Sequence, residues 1–255
     1  MLNSFAVRLF LMSDSMSADT IPAPSNPVSQ PRRRTSPWLL FKIGYVAAMF
    51  VCLIQWGKPS LWSRIDVFSG GYLLIRTISL LRSILSRSKA RPLPGESQRE
   101  RWGSTAAPGW VNWAFALTIA DLAVFLDYGH WHLVPGLERP SAQACGLLLY
   151  LAIAGWLKWT QRYLETAFAD KSVRPTLMQS GPFRRIRHPY YAGAMMQKIA
   201  VALVFASAVG WLLVVPWWVL ILRQVRLEEA HLHKLFGHEY EVYAQQTARV
   251  LPGIY

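Results

Sequence analysis

Apolar residues in this chain come in long runs separated by short basic segments. Four runs, residues 38–56, 67–85, 110–131 and 142–159, have the length and composition of a helix that crosses a bilayer, whose hydrocarbon core of about 30 Å takes about 20 apolar residues. Arg76 and Arg82 interrupt the second run, and long basic side chains of that kind either snorkel or face the bundle interior. A fifth run, 190–226, is too long for one crossing. It divides into two short spans, with Ser-Ala-Val-Gly at 207–210 as the turn between them. The pattern predicts an all-α, polytopic membrane bundle of about six transmembrane helices, ending in a helical hairpin and a further helix.

Charge orients this bundle. Nineteen basic residues flank the spans on one side: Arg32–Arg34 before the first, five after the second, seven from Lys158 at the end of the fourth to Arg187 before the fifth, and four from Arg223 at the end of the sixth onward. Only Lys58, Arg64 and Arg139 fall in the alternate loops. Lysine and arginine concentrate on the cytoplasmic side of membrane proteins, so both termini and the segments flanking the hairpin are expected there, in a bacterial inner membrane or the endoplasmic reticulum. The net charge of +13 raises nucleic acid as a partner, but the basic residues form no continuous face, and with 53% hydrophobic and 16% charged residues the composition is that of a membrane protein. Residues 1–37 are rich in Ser, Pro and Ala and are expected to be disordered; 38–160 read as a four-span scaffold and 161–255 as a C-terminal catalytic region. An amphipathic tip at 5–12 has no reading. Cys52 and Cys145 lie in apolar runs as small buried hydrophobes, and no metal-ligand spacing is present.

Two polar clusters flank the hairpin. "SGPFRRIRHPYYAG" (180–193) precedes it and "RQVRLEEAHLHKLFGHEYEVY" (223–243) follows it, so the hairpin should bring them together. Pro189 excludes His188 from helical geometry and suits a first helical turn. The Arg187–His188–Pro189 unit therefore stands at a helix N-terminus, which favours an anion, and Gly193 permits a close approach. In the second cluster Glu228 and Glu229 follow directly on an apolar span. Their plainer reading is a solvated face with local pairs such as Arg226 with Glu229. Phe236, Tyr240 and Tyr243 fall at helical spacing as one stripe. Two carboxylates lie inside the third span. Asp121 is expected to pair with Arg76 or Arg82, and Asp127 to lie near the outer interface.

Together the two clusters resemble the isoprenylcysteine carboxyl methyltransferase family and its wider group of membrane methyltransferases. The resemblance rests on "TLMQSGPFRRIRHPYYAG", "EEAHLHKLFGHEYEVY" and the following Arg249 and Pro252, about the last 80 residues. It implies S-adenosylmethionine bound at the cytoplasmic face by Thr176, Leu177, Met178, Phe183, His188, Pro189, Tyr190, Tyr191 and the pair Glu228–Glu229. It implies a lipid-like or small apolar acceptor from the membrane. Arg187, Arg223, Arg226 and Glu228 are the candidate catalytic residues. Such a cofactor carries a sulfonium, an amine and a carboxylate, so a site with both signs of charge and aromatic rings suits it. One position departs from the family pattern: Gln224 stands where an arginine is common, which bears on a carboxylate acceptor. Membrane sterol reductases, which use NADPH, share a related Arg-His…Tyr-x-Gly stretch and a tail like "LPGIY"; Pro189 and the Glu-Glu pair fit the methyltransferases better. A non-enzymatic membrane scaffold explains the spans but not the paired motifs.

Overall fold

A computed structural model describes residues 37–54, 65–87, 110–167 and 177–253. Segment 1–36, with its amphipathic tip, and Thr176 lie outside the described residues. The described residues are helical: α1 (Pro37–Leu53), α2 (Val67–Arg87), α3 (Trp110–Ala120), α4 (Leu122–Leu126), a π-helical turn (Asp127–Trp131), α5 (Pro140–Ala167), a 3₁₀ turn (Gly181–Arg184), α6 (Pro189–Val204), α7 (Ala208–Phe236) and α8 (His238–Gln246). Each apolar run of the sequence is a helical segment, the third broken at Asp121 and ending in the π turn. The 25 residues Pro140–Leu164 and the 29 of α7 are long and apolar enough to cross a membrane.

Small residues set the packing of α5, α6 and α7. A Cβ on Gly146 of α5 would stand 2.7 Å from both Leu203 Cβ and Val204 N of α6. A Cβ on Gly193 of α6 would stand 2.7 Å from the Leu157 side chain. The close approach expected at Gly193 is therefore made by α5. Gly210 of α7 meets Ala202 of α6 in the same way, so α6 is clasped on two sides, as small residues permit between apolar helices. Indole N–H groups add direction. Trp217 and Trp218 of α7 donate to the Ala194 and Met195 carbonyls of α6 at 3.1 Å each, and Trp156 of α5 donates to Pro189 O at 2.9 Å.

The hairpin turn falls at Phe205–Ser207, two residues earlier than the sequence pattern suggests. Ala206 takes a left-handed φ of 44°. Ser207 caps α7, its Oγ accepting from Gly210 N at 3.1 Å, so Ser-Ala-Val-Gly opens the helix instead of turning the chain. Phe205, fully buried, sits edge-on among Tyr72, Phe125 and Tyr128, with centroids 5.2, 4.8 and 5.5 Å away.

Both carboxylates of the third segment are spent on the hairpin. Asp121 pairs with Lys198 of α6, not with Arg76 or Arg82: Lys198 Nζ reaches Oδ1 at 2.5 Å and lies 4.6 Å from the centroid of the Trp217 ring. Arg76 instead stands 5.6 Å from the Tyr45 ring, and Arg82 is exposed. Asp127 is buried and accepts from Ser207 Oγ at 2.6 Å and from Leu133 N at 3.0 Å, at the turn end of the hairpin. Cys145 faces outward from α5, in contrast to the buried position expected; Cys52 is half-buried.

Candidate functional site

Pro189 occupies the first position of α6, and His188, with φ −123° and ψ 59°, is its N-cap residue, as the dipeptide demands. The preceding strand-like residues are stitched to the C-terminal tail. Ala248 N donates to Arg185 O (3.0 Å), Arg187 N to Ala248 O (2.9 Å) and His188 N to Arg249 O (3.1 Å). α7 runs back along α6 and carries Gln224, Glu228 and Glu229 past His188. The hairpin thus brings the two sequence clusters into contact.

The adjacent carboxylates have different partners. Glu229 Oε1 accepts from Arg187 Nε at 2.6 Å and stands 3.4 Å from His188 Nε2; its Oε2 is 2.7 Å from Arg249 Nε. Arg187 also donates to the carbonyls of Ala244, at 3.1 Å, and Thr247. Arg187 is therefore a clamp on Glu229 and the end of α8, and the expected local pair of Arg226 with Glu229 is replaced by this longer-range one. Glu228 has neutral partners on one oxygen: Tyr191 Oη and Gln224 Nε2, the latter at 3.3 Å, both donate to Oε1. Its Oε2 stands 3.8 Å from His188 Nδ1. His188 is 5% exposed and Gln224 is fully buried.

The expected stripe Phe236–Tyr240–Tyr243 is cut. Gly237, with φ 51° and ψ −125°, ends α7 and starts α8, so Phe236 belongs to one helix and the two tyrosines to the next. Both tyrosines are buried under α8. Tyr243 Oη donates to Phe183 O at 2.7 Å, and burial pushes its phenol up to about 12 against the opposing pull of Arg187. Burial raises the Tyr240 phenol too, with Glu229 adding to the effect. On the outer side of α8, hydrogen bonds from His233 and then His238 lower the exposed Glu241 carboxyl below its ordinary value.

Of the residues singled out in the sequence, Arg187, His188, Tyr191, Glu228 and Glu229 come together in one cluster, with Pro189 starting the helix beneath it. Phe183 joins through Tyr243. Tyr190 packs against the main core, its ring 6.3 Å from that of Tyr191. Leu177 and Met178 lie half-buried on the arm leading to the 3₁₀ turn. Arg223 and Arg226 are exposed on α7, whereas Gln224, between them, is buried. Arg249 and Gln224 are integral to the cluster, though the sequence marks the first only as a basic residue before Pro252 and the second only by what it lacks.

Residues 141–239 match the family model of phospholipid methyltransferases. The resemblance to membrane methyltransferases is borne out. Two rice proteins, from Oryza sativa subsp. indica and subsp. japonica, each named a probable protein-S-isoprenylcysteine O-methyltransferase, are 33% identical over 81 residues, 31% of this chain and 41% of theirs. The chain thus spans about two fifths of the length of these relatives. No solved structure matches.

Proposed function

We propose that this chain is an integral membrane methyltransferase that takes its methyl group from S-adenosylmethionine and passes it to a lipid-like or small apolar acceptor. The observation that carries this reading is the division of labour within Glu228–Glu229. Glu229 is neutralised by two arginines. The other Glu228 oxygen, Oε2, stands 3.8 Å from Nδ1 of the His188 ring, and a carboxylate oxygen accepts hydrogen bonds. That oxygen fits an amine or a pair of ribose hydroxyls. The rings of Tyr191 and His188, 5.9 Å apart, fit a sulfonium or a purine face. This acceptor and these rings suit the cofactor, and the match to the phospholipid methyltransferase family model and the likeness to the two rice proteins named as probable methyltransferases support the reading.

When bound, S-adenosylmethionine supplies an electrophilic methyl on a good leaving group. The chain's own residues then have three tasks. Glu228, with Tyr191 and Gln224 fixing its rotamer, holds the donor. The closed packing around His188 keeps water out. Arg223 and Arg226, on the exposed face of α7, hold an anionic acceptor head at the membrane side. Alignment of this kind is worth roughly 7–11 kcal/mol of barrier. In this reading the bundle crosses the membrane six times, with both termini and the site cytoplasmic. The test incubates the purified protein in lipid nanodiscs with isotope-labelled S-adenosylmethionine and a membrane extract, and follows the label by mass spectrometry. Label should appear in the extract, and Arg226→Ala should slow its appearance without changing cofactor affinity. Absence of transfer, together with binding of NADPH, contradicts the proposal.

A further inference from the structure

Helix α8 is anchored at both ends and closed over the cluster by contacts with the cluster's own arm. At its start, Gly237 has a φ and ψ that glycine alone adopts without strain. Nothing lies within 4 Å of the place a Cβ would occupy there, so backbone freedom, not space, calls for glycine. At its end Thr247 is extended. The chain is then fixed again by the Ile186–Ala248 bridge and by Val250, 1% exposed in the core beside Tyr191 and Trp217. Between these anchors α8 meets the 177–188 arm at three points. Gln179 Nε2 donates to Glu239 Oε1 at 3.3 Å, Tyr243 Oη donates to Phe183 O, and Arg187 Nη1 donates to Ala244 O. Beneath it His188 is 5% exposed, and the Glu229 side chain 12%. A molecule of cofactor size reaching these groups has to displace part of the chain, and α8 is the part with a pivot at each end.

We propose that α8 is a strap, swinging outward about Gly237 and Thr247 to admit a ligand to the His188–Glu228–Glu229 cluster and closing over it afterwards. Arg187 belongs to both the strap's latch and the cluster, through Ala244 O and Glu229, so ligand binding and closure act on one side chain. The inference rests on the cofactor reading above only for the identity of what is admitted.

The test uses the full chain in nanodiscs with Cys52→Ala and Cys145→Ser, carrying Gln179→Cys and Glu239→Cys joined by a short bis-methanethiosulfonate linker that reductant removes. Association of S-adenosylmethionine, followed by tryptophan fluorescence, should slow by about tenfold or more when the linker is in place, as the open population falls, and recover on reduction. An unchanged rate overturns the strap. Without cofactor, the amides of 241–246 should exchange with deuterium through an opening not shared by 217–222, and the linker should suppress it. Equal protection of the two stretches before and after linking also overturns it. Opening seen by exchange, with no cofactor bound even after reduction, leaves the strap standing and refutes the cofactor reading instead.

Discussion

Glu228 and Glu229 are neighbours in sequence, yet one is tied up by arginines and the other by a tyrosine and an amide. Their side chains leave a helix about 100° apart, and that rotation sends Glu229 toward Arg187 and Arg249 and Glu228 toward Tyr191 and Gln224. The sequence marks the pair as unusual because two acids directly follow an apolar span. It does not mark which acid is which, because Arg187 and Arg249 reach Glu229 from 42 and 20 positions away. Arg187 illustrates the same limit. Its place before His-Pro suggests a cation waiting for an anion at a helix N-terminus, but the folded chain satisfies it with Glu229 and two carbonyls. Glu229→Gln leaves two guanidiniums facing a neutral amide. It should cost about 3 kcal/mol of stability, the low end for breaking a buried pair because Arg249 is partly exposed, and thermal unfolding in detergent measures it. Because Glu229 serves the scaffold, the loss should appear without cofactor present.

At the scale of helices the hydrophobic pattern is informative about where segments lie and poor on how they join. Each apolar run is a helical segment. The hairpin's ends meet as the short connection requires. What the pattern cannot carry is the third dimension of the interior. Asp121 finds Lys198 because α6 passes beside the break between α3 and α4. The sequence does not mark Lys198, since a single lysine inside an apolar run reads as part of the span, while Arg76 and Arg82 stand out as a pair. The stripe through Phe236, Tyr240 and Tyr243 fails for another reason: Gly237 both permits and imposes a change of direction that periodicity does not register. The Asp121–Lys198 bond has a measurable consequence. Lys198→Met leaves a carboxylate in an apolar setting and should destabilise by about 3–5 kcal/mol, whereas Lys198→Met combined with Asp121→Leu should recover most of that loss. A thermal double-mutant cycle reads it, and a double variant no better than the single would show that the pair does not couple α3 and α4 to the hairpin.

For the whole molecule the polar architecture has two ends. One gathers Asp127, Ser207 and the turn; the other gathers His188, Glu228, Glu229 and the C-terminal tail. α6 separates them by its 16 residues, about 24 Å, close to the thickness of a hydrocarbon core. The imbalance of basic residues leads us to propose that the second end faces the cytoplasm. Cysteines introduced one at a time at exposed Leu133 and Gln245, in a chain lacking Cys52 and Cys145, should react with impermeant reagents from opposite sides of sealed vesicles; labelling from one side only would exclude a hairpin that crosses the bilayer.

In the proposed reaction the Glu228 carboxylate holds the methyl donor. Calorimetry of the purified protein with S-adenosylmethionine, its demethylated product and NADPH, repeated on Glu228→Gln, tests it most directly. The wild-type chain should bind the first two and ignore the third. Glu228→Gln should lose about 1.5–3 kcal/mol of cofactor affinity, the worth of one charge-assisted hydrogen bond. Undiminished binding by Glu228→Gln would remove Glu228 from the donor site, and binding of NADPH alone would exclude S-adenosylmethionine as the cofactor.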